Sequence, residues 1–174
     1  MPAYHSAFNE VTGQCRVIGG IPLLPLKTKA KGPAPMGQPS SDDAIDEALD
    51  LFRANSFFRN FEIKGPGDRL LIYLILFISE CLTKLNRHTS PSEASKTLYT
   101  LAVSNFHIPG DAAFPLHALY PAPDTSMDAD LLKQYLTQAR QELVVRLVDQ
   151  VFADGTPSKW WLCFQKRKFM GKSF

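Results

Sequence analysis

The stretch GDRLLIYLILFISECLTKL, residues 67–85, decides the fold. Every residue at positions 70–78 is apolar, and a helix that is apolar on every side is usually central and covered by its neighbours. A buried strand is the alternative for such a run, but the length of the segment favours a helix. We expect this helix to begin after Gly67, with Asp68 as its cap, and to end near Asn86.

Capping and breaking signals predict four further helices around this one. Their expected bounds are about 42–58, 91–104, 127–152 and a short helix starting at 157. Ser41, Ser90 and Thr156 precede three of them as candidate N-caps. Ser90 with Glu93 also fits a capping box. The 127–152 helix carries one apolar seam with helical spacing, formed by Leu132, Leu136, Ala139, Leu143, Leu147 and Val151.

Two long segments lack a helical pattern. Residues 1–40 are dense in glycine and proline, which forbids a continuous helix, yet five Ile or Leu residues lie between positions 18 and 26. We interpret this segment as an extended strap laid on the domain or on a partner, with Lys27, Lys29 and Lys31 pointing outward. Residues 105–124 contain four prolines and form a long internal loop. The predicted fold class is therefore all-α, a compact bundle of about five helices in a single domain, 1–174. This domain consists of an extended N-terminal strap (1–40), a helical core (41–154) with one long Pro-rich internal loop, and a basic-aromatic C-terminal docking segment (155–174).

The composition is that of a globular protein of one domain, with 174 residues that are 45% hydrophobic and 21% charged. The net charge of +2 is too small to indicate a nucleic-acid-binding protein. The last 20 residues hold five basic residues and no acid, and subtracting these five from +2 leaves −3 on the first 154 residues. The longest apolar run has nine residues, and a bilayer needs about 20. Since no signal-peptide pattern is visible either, we expect a cytoplasmic protein.

The tail PSKWWLCFQKRKF, residues 157–169, holds both tryptophans of the chain. Single-stranded nucleic acid or a membrane surface could bind such a tail, but three adjacent basic residues give few phosphate contacts. A packed terminal helix is a further alternative. Aromatic residues beside arginine are enriched in protein interfaces, so we favour protein docking, with one tryptophan packed inward. The candidate partner-binding residues are Lys159, Trp160, Trp161, Lys166, Arg167, Lys168 and Phe169 in the tail, and Lys27, Lys29 and Lys31 in the strap.

The sequence nominates no catalytic, cofactor-binding or metal site. It lacks the GxSxG, HExxH, GxxxxGKS/T and GxGxxG patterns. His107 and His117 could form a metal or acid–base pair, but two histidines in a Pro-rich loop are more often residues without chemistry. The acidic residues at 42–47 suit the first turn of a helix without a bound cation. The three cysteines are far apart and odd in number, which favours free thiols.

Several segments together resemble one family. They are MPAYHS at 1–6, KGPAP at 31–35, GDRLLIY and FISECLTKL within 67–85, YTLAVSNFHIPGDAAFPLHALY at 99–120, and PSKWWLCFQKRKFMGKSF at 157–174. The chain resembles the subunit 3 family of the actin-related protein 2/3 complex nearly end to end. The stretches EVTGQCRVIGG at 10–20 and MGQPSSDDA at 36–44 match that family poorly.

This resemblance implies a non-catalytic subunit of a seven-subunit assembly that nucleates branched actin filaments. It implies contact chiefly with the actin-related protein 3 subunit, with the other subunits and the actin mother filament as further partners. No cofactor, nucleic acid or membrane insertion is implied, and the expected location is the actin cytoskeleton of the cytoplasm, in actin patches or at the cell cortex. The tail would dock on an actin-like partner, and the strap lysines would form a second contact. A small RNA-binding or membrane-surface helical module that uses the same tail is the alternative.

Overall fold

The structure, a computed structural model, describes residues 3–174 apart from the side chain of Thr12, so Met1 and Pro2 of the predicted strap lie outside the described residues. Its helices are α1 (Ala44–Asn55), α2 (Pro66–Thr83), α3 (Pro91–Val103), α4 (Ser126–Val151) and α5 (Lys159–Leu162). Two short strands, β1 (Val17–Ile18) and β2 (Ile21–Pro22), pair as an antiparallel hairpin. Single 3-10 turns lie at Ala7–Glu10, Thr12–Gln14 and Phe169–Gly171. The predicted all-α fold with five helices is confirmed, and the hairpin is a small addition to it.

Helix α2 is the central element, as its sequence predicts. Every residue from Leu70 to Ile78 is at most 2% exposed. The helix contacts α1, α4 and β2, and also the 3-10 turns near the two ends of the chain. Segments that are not helical therefore cover part of its surface. No helix within residues 3–174 is both long and apolar enough to cross a membrane.

The start of α2 differs from the prediction, and so does the role of Asp68. The helix begins at Pro66 with Gly65 as the N-cap residue, because proline has no N–H to leave unsatisfied in the first turn. Asp68 is fully buried. Its carboxylate accepts hydrogen bonds from the backbone N–H groups of Ser6 at 2.7 Å and Lys64 at 2.9 Å, and lies 2.8 Å from His5 Nδ1. Asp68 therefore fixes the N-terminal segment to the helix.

Two other predicted caps are wrong by two residues. Asp43, not Ser41, caps α1, and it forms a capping box with Asp46. Ser158, not Thr156, caps α5. In both cases the residue nearer the first turn can reach the free N–H groups of that turn, and the upstream residue lies too far away. The capping box of Ser90 and Glu93 on α3 is confirmed.

The strap packs on its own domain. All five of its Ile and Leu residues between positions 18 and 26 are buried. The turn between β1 and β2 uses Gly19 and Gly20, both with positive φ, the conformation that a two-residue hairpin turn requires. Further along, the buried Tyr135 hydroxyl of α4 donates a 2.8 Å hydrogen bond to the Leu24 carbonyl. The internal loop is anchored in the same way, because the Tyr120 hydroxyl donates to the Arg69 carbonyl at 2.6 Å.

An ion cluster joins the strap, the start of α1 and the middle of α4. Arg146 of α4 donates to both carboxylate oxygens of Asp43, at 2.7 and 2.9 Å, to Asp46 at 3.0 Å and to the Lys27 carbonyl at 2.6 Å. The Lys27 ammonium completes the cluster with an ion pair to Asp46 at 2.8 Å. Burial alone would raise the pKa of Asp43, but hydrogen bonds from Arg146 and from backbone N–H groups outweigh burial and hold that pKa below its ordinary value.

Helix α4 also carries a buried arginine that the single-seam prediction does not include. The seam residues Leu132, Leu136, Ala139, Leu143, Leu147 and Val151 are all buried, as predicted. Arg140 is off that seam and is buried too, with its guanidinium carbon 4.2 Å from the ring centroids of Phe77 and Phe106. It donates to three oxygens, those of the Leu101 and Ala102 carbonyls and the Tyr73 hydroxyl. Arg140 thus satisfies carbonyls at the C-terminal end of α3, where a positive charge is favourable.

We predict that Arg146→Met lowers the free energy of unfolding by about 3 kcal/mol at neutral pH, because it leaves the Asp43 carboxylate buried without its cation. Since the pKa of Asp43 is held below its ordinary value of 3.8, this contribution is present above that value and is lost as the pH falls through the lowered pKa. The difference in free energy of unfolding between the natural chain and the variant should therefore be smaller at acidic pH. Urea unfolding followed by circular dichroism at about pH 7 and about pH 3.5 measures both values. An equal deficit at the two pH values would contradict the role given to Asp43.

We predict that Arg140→Met and Arg140→Lys each lower the free energy of unfolding by about 2–4 kcal/mol. Lysine keeps the charge but lacks the planar, forked donors that reach three separate oxygens. Thermal and urea unfolding of the full chain measure the loss, and Arg87→Lys, at an exposed position, is the control. If Arg140→Lys matched the natural chain, the geometry of the guanidinium would not matter.

Candidate protein-interaction face

One of the two adjacent tryptophans of α5 is buried and the other is exposed, as predicted. Ser158 caps the helix by accepting from the Trp160 N–H, and its own N–H donates to the Val151 carbonyl at 2.9 Å. Trp161 is 3% exposed and stacks on Phe52 of α1 with 5.8 Å between ring centroids. Trp160 is 64% exposed, with the Lys159 ammonium 5.2 Å from its ring centroid. One tryptophan therefore holds α5 on the domain and the other is available to a partner.

The chain after α5 is held by side-chain and backbone contacts with the domain. Gln165 donates through its side-chain amide to the carbonyls of Leu82, in the last turn of α2, and Leu85, just past its end. The Met170 N–H donates to the Phe58 carbonyl at 3.2 Å. Phe169 is fully buried and meets the ring of Phe61 edge-on at 5.8 Å. These contacts fix the three basic residues between Gln165 and Phe169 in place.

A basic groove of about 630 Å³ runs between residues 56–59 and 166–171. No acidic residue lines the groove, and four basic residues do: Arg59, Lys166, Arg167 and Lys168. The Arg167 guanidinium lies 4.2 Å from the ring centroid of Phe57, which is itself exposed. Across the part of the chain that the structure describes, none of the four cations has an ion-pair partner.

We name this groove, which Phe57 helps to line, together with the exposed Trp160 of the same C-terminal segment, the tail face. It offers aromatic rings and unpaired positive charge, which is the combination that dominates the binding energy of many protein interfaces. Among residues 3–174, no group of three or more His, Cys, Asp or Glu side chains is placed to hold a metal ion. What the tail face can do chemically is bind an acidic surface.

Comparison with known proteins identifies the family. The family model described as "P21-Arc: ARP2/3 complex ARPC3 (21 kDa) subunit" matches residues 1–174. The chain belongs to the P21-Arc family. Its relatives include proteins named actin-related protein 2/3 complex subunit 3 from Schizosaccharomyces pombe, 54% identical over 99% of both chains, and from Dictyostelium discoideum, 52% identical over 98% of both chains. The protein of that name from Arabidopsis thaliana is 43% identical over 96% of both chains.

The structure of this P21-Arc chain separates the residues nominated for partner binding into three groups. Lys159, Trp160, Lys166, Arg167 and Lys168 are exposed at or beside the tail face. Trp161 and Phe169 are buried against aromatic residues of the domain, so they support the face from within and present almost no surface to a partner. The strap lysines form the third group. Lys29 and Lys31 are exposed, whereas Lys27 is half-buried and pairs with Asp46. The groove beside them shares no lining residue with the basic groove of the tail face.

Two residues that line the basic groove of this P21-Arc chain, Phe57 and Arg59, were not predicted from the sequence as partner-binding residues. Both lie just after α1, in the stretch FFRNFEIK at 57–64. A signal was present, because this stretch places two aromatic residues next to an arginine at the predicted end of the first helix, which in the structure ends at Asn55. Its proximity to a tail more than 100 residues later could not be read from the sequence.

We predict that Trp161→Ala lowers the free energy of unfolding by about 3–5 kcal/mol, because it removes a buried indole stacked on Phe52. Trp160→Ala, the adjacent and otherwise identical change, should stay within about 0.5 kcal/mol of the natural chain. Urea unfolding of both variants by circular dichroism makes the comparison. Equal losses in the two variants would show that α5 does not divide its tryptophans between the core and the surface.

Proposed function

We propose that this chain is a non-catalytic structural subunit of an actin-related protein 2/3 complex and contributes to the nucleation of branched actin filaments. The observation that carries the proposal is the match of the P21-Arc family model over residues 1–174. Relatives that this chain covers at 98% or 99% of their length carry the name of subunit 3 of that complex.

We propose that the tail face docks on the actin-related protein 3 subunit, with the chain also facing the actin mother filament. The support is the charge of the face. Surfaces of actin-like folds tend to be acidic, and the four unpaired cations of the basic groove complement such a surface. Trp160 is the proposed anchor, because a large exposed ring can fill a pocket while neighbouring cations orient the encounter. The exposed Lys29 and Lys31 of the strap are proposed as a second contact.

The proposal gives the chain no chemical step and no cofactor. The buried tyrosine hydroxyls of the core are engaged in structural hydrogen bonds, and burial raises the pKa of Tyr73 to about 12. Such groups stay protonated and serve packing. The proposed location is the actin cytoskeleton of the cytoplasm, in actin patches or at the cell cortex, where the family's complex would act.

We predict that the double reversal Lys166→Glu with Arg167→Glu weakens association with the actin-related protein 3 subunit at least about tenfold, because like charges facing each other at an interface cost several kcal/mol. The dependence of association on salt should also fall. The measurement is co-purification of the full chain with co-expressed subunits at about 0.05 and about 0.3 M salt.

The matched control is Lys84→Glu with Arg87→Glu, which makes the same charge change at exposed residues just past the end of α2. Equal retention of both double variants at each salt concentration would rule out the tail face as the docking site. Filter binding to RNA and sedimentation with liposomes at about 0.15 M salt test the alternative function. Micromolar binding in either assay, lost in the Lys166 and Arg167 variant, would favour that alternative.

A further inference from the structure

A groove of about 1100 Å³ lies open between the strap and helices α3 and α4. We call it the strap groove. Three large apolar side chains that line it are exposed, and each comes from a different element: Met36 from the strap, Tyr99 from α3 and Val145 from α4. Exposed apolar residues that converge from three elements mark a site of interaction.

One wall of the strap groove is a loop that α4 holds in a fixed position. The Gln138 side-chain amide donates to the Ala30 carbonyl at 2.9 Å, and its oxygen accepts from the Ala34 N–H at 2.8 Å. Gln138 is buried. The loop approaches it so closely that a Cβ added to Gly32 would lie 2.4 Å from the Gln138 side-chain oxygen. The loop therefore has a fixed conformation and places Lys29 and Lys31 at the edge of the groove.

The unpaired charge of the strap groove is positive. Its two acidic lining residues, Asp46 and Glu142, already accept from Arg146, and Asp46 also pairs with Lys27. Lys29 and Lys31 are exposed, and neither has an ion-pair partner within residues 3–174. A ligand that enters the groove meets an apolar floor and two free ammonium groups.

We propose that the strap groove binds an acidic, amphipathic segment of another subunit in the assembled complex. Apolar side chains of that segment contact Met36, Tyr99 and Val145, and its carboxylates pair with Lys29 and Lys31. The inference rests on the proposed function, because it requires a multi-subunit assembly. The inference goes beyond the proposed function because it assigns a second docking site, distinct from the tail face, with an apolar floor and its own partner chemistry.

Photo-crosslinking in the assembled complex tests the proposal. The full chain carries the crosslinking amino acid p-benzoylphenylalanine in place of Met36, and the complex is purified after co-expression with its partner subunits. Met127 is the matched control, since the two methionines are 78% and 80% exposed and Met127 is at the far, N-terminal end of α4. Mass spectrometry then identifies the peptide joined to each position.

The expected result is a crosslink from position 36, at least tenfold stronger than from position 127, to a segment of another subunit in which acidic residues outnumber basic ones. Adding Lys29→Glu with Lys31→Glu should reduce it at least tenfold, whereas Lys64→Glu with Lys84→Glu should not. The inference is overturned if the crosslink from position 36 is no stronger than that from position 127, or if it joins this chain to itself or to a second copy. It is also overturned if the crosslinked segment is basic, or if the Lys29 and Lys31 reversal leaves the crosslink unchanged.

The same preparation separates the two proposals. Recovery of the complex with the natural chain, but without the crosslink from position 36, overturns only the role of the strap groove. Failure of the natural chain to co-purify with the other subunits overturns the proposed function and this inference with it.

Discussion

The fold depends on one constraint, which is that α2 must be enclosed on all sides. Its nine central residues leave no polar face to turn toward water, and each of its apolar side chains stabilises the fold only when it is buried. The chain meets this requirement with helices α1 and α4 and with segments that are not helices. Strand β2, the first 3-10 turn and the Phe169–Gly171 turn all contact α2, so both ends of the polypeptide are part of its covering.

Segments without regular structure need fixed anchors, and α4 supplies most of them. Gln138 holds the strap loop that carries Lys29 and Lys31, Arg140 donates to carbonyls at the end of α3, and Arg146 joins the strap to the start of α1. These three residues lie off the apolar seam, within a little more than two turns of the helix. The polar side chains of α4 thus fix the strap that forms one wall of the strap groove, while its apolar side chains stabilise the core.

Features that arise within a few residues of sequence were predictable, and those that join distant segments were not. The apolar run of α2, the seam of α4 and the capping box at Ser90 follow from local spacing, and adjacent positions on a short surface helix cannot both face the core, which favours one buried and one exposed tryptophan. Apart from Glu142, one turn from Arg146, the partners of Arg140 and Arg146 lie 38 to 119 residues away in sequence, so no local pattern reveals them. The walls at Phe57 and Arg59 escaped prediction for the same reason.

The anchoring of the strap by α4 has a consequence for biosynthesis. The strap is translated before α4, and Gln138 and Arg146, which hold it, follow it by more than 100 residues. Throughout that interval its buried Ile and Leu side chains have no completed surface to pack against. A nascent chain of this protein therefore exposes these apolar side chains until α4 has been made, a condition that recruits chaperones and makes contacts between distant parts of a chain slow to form.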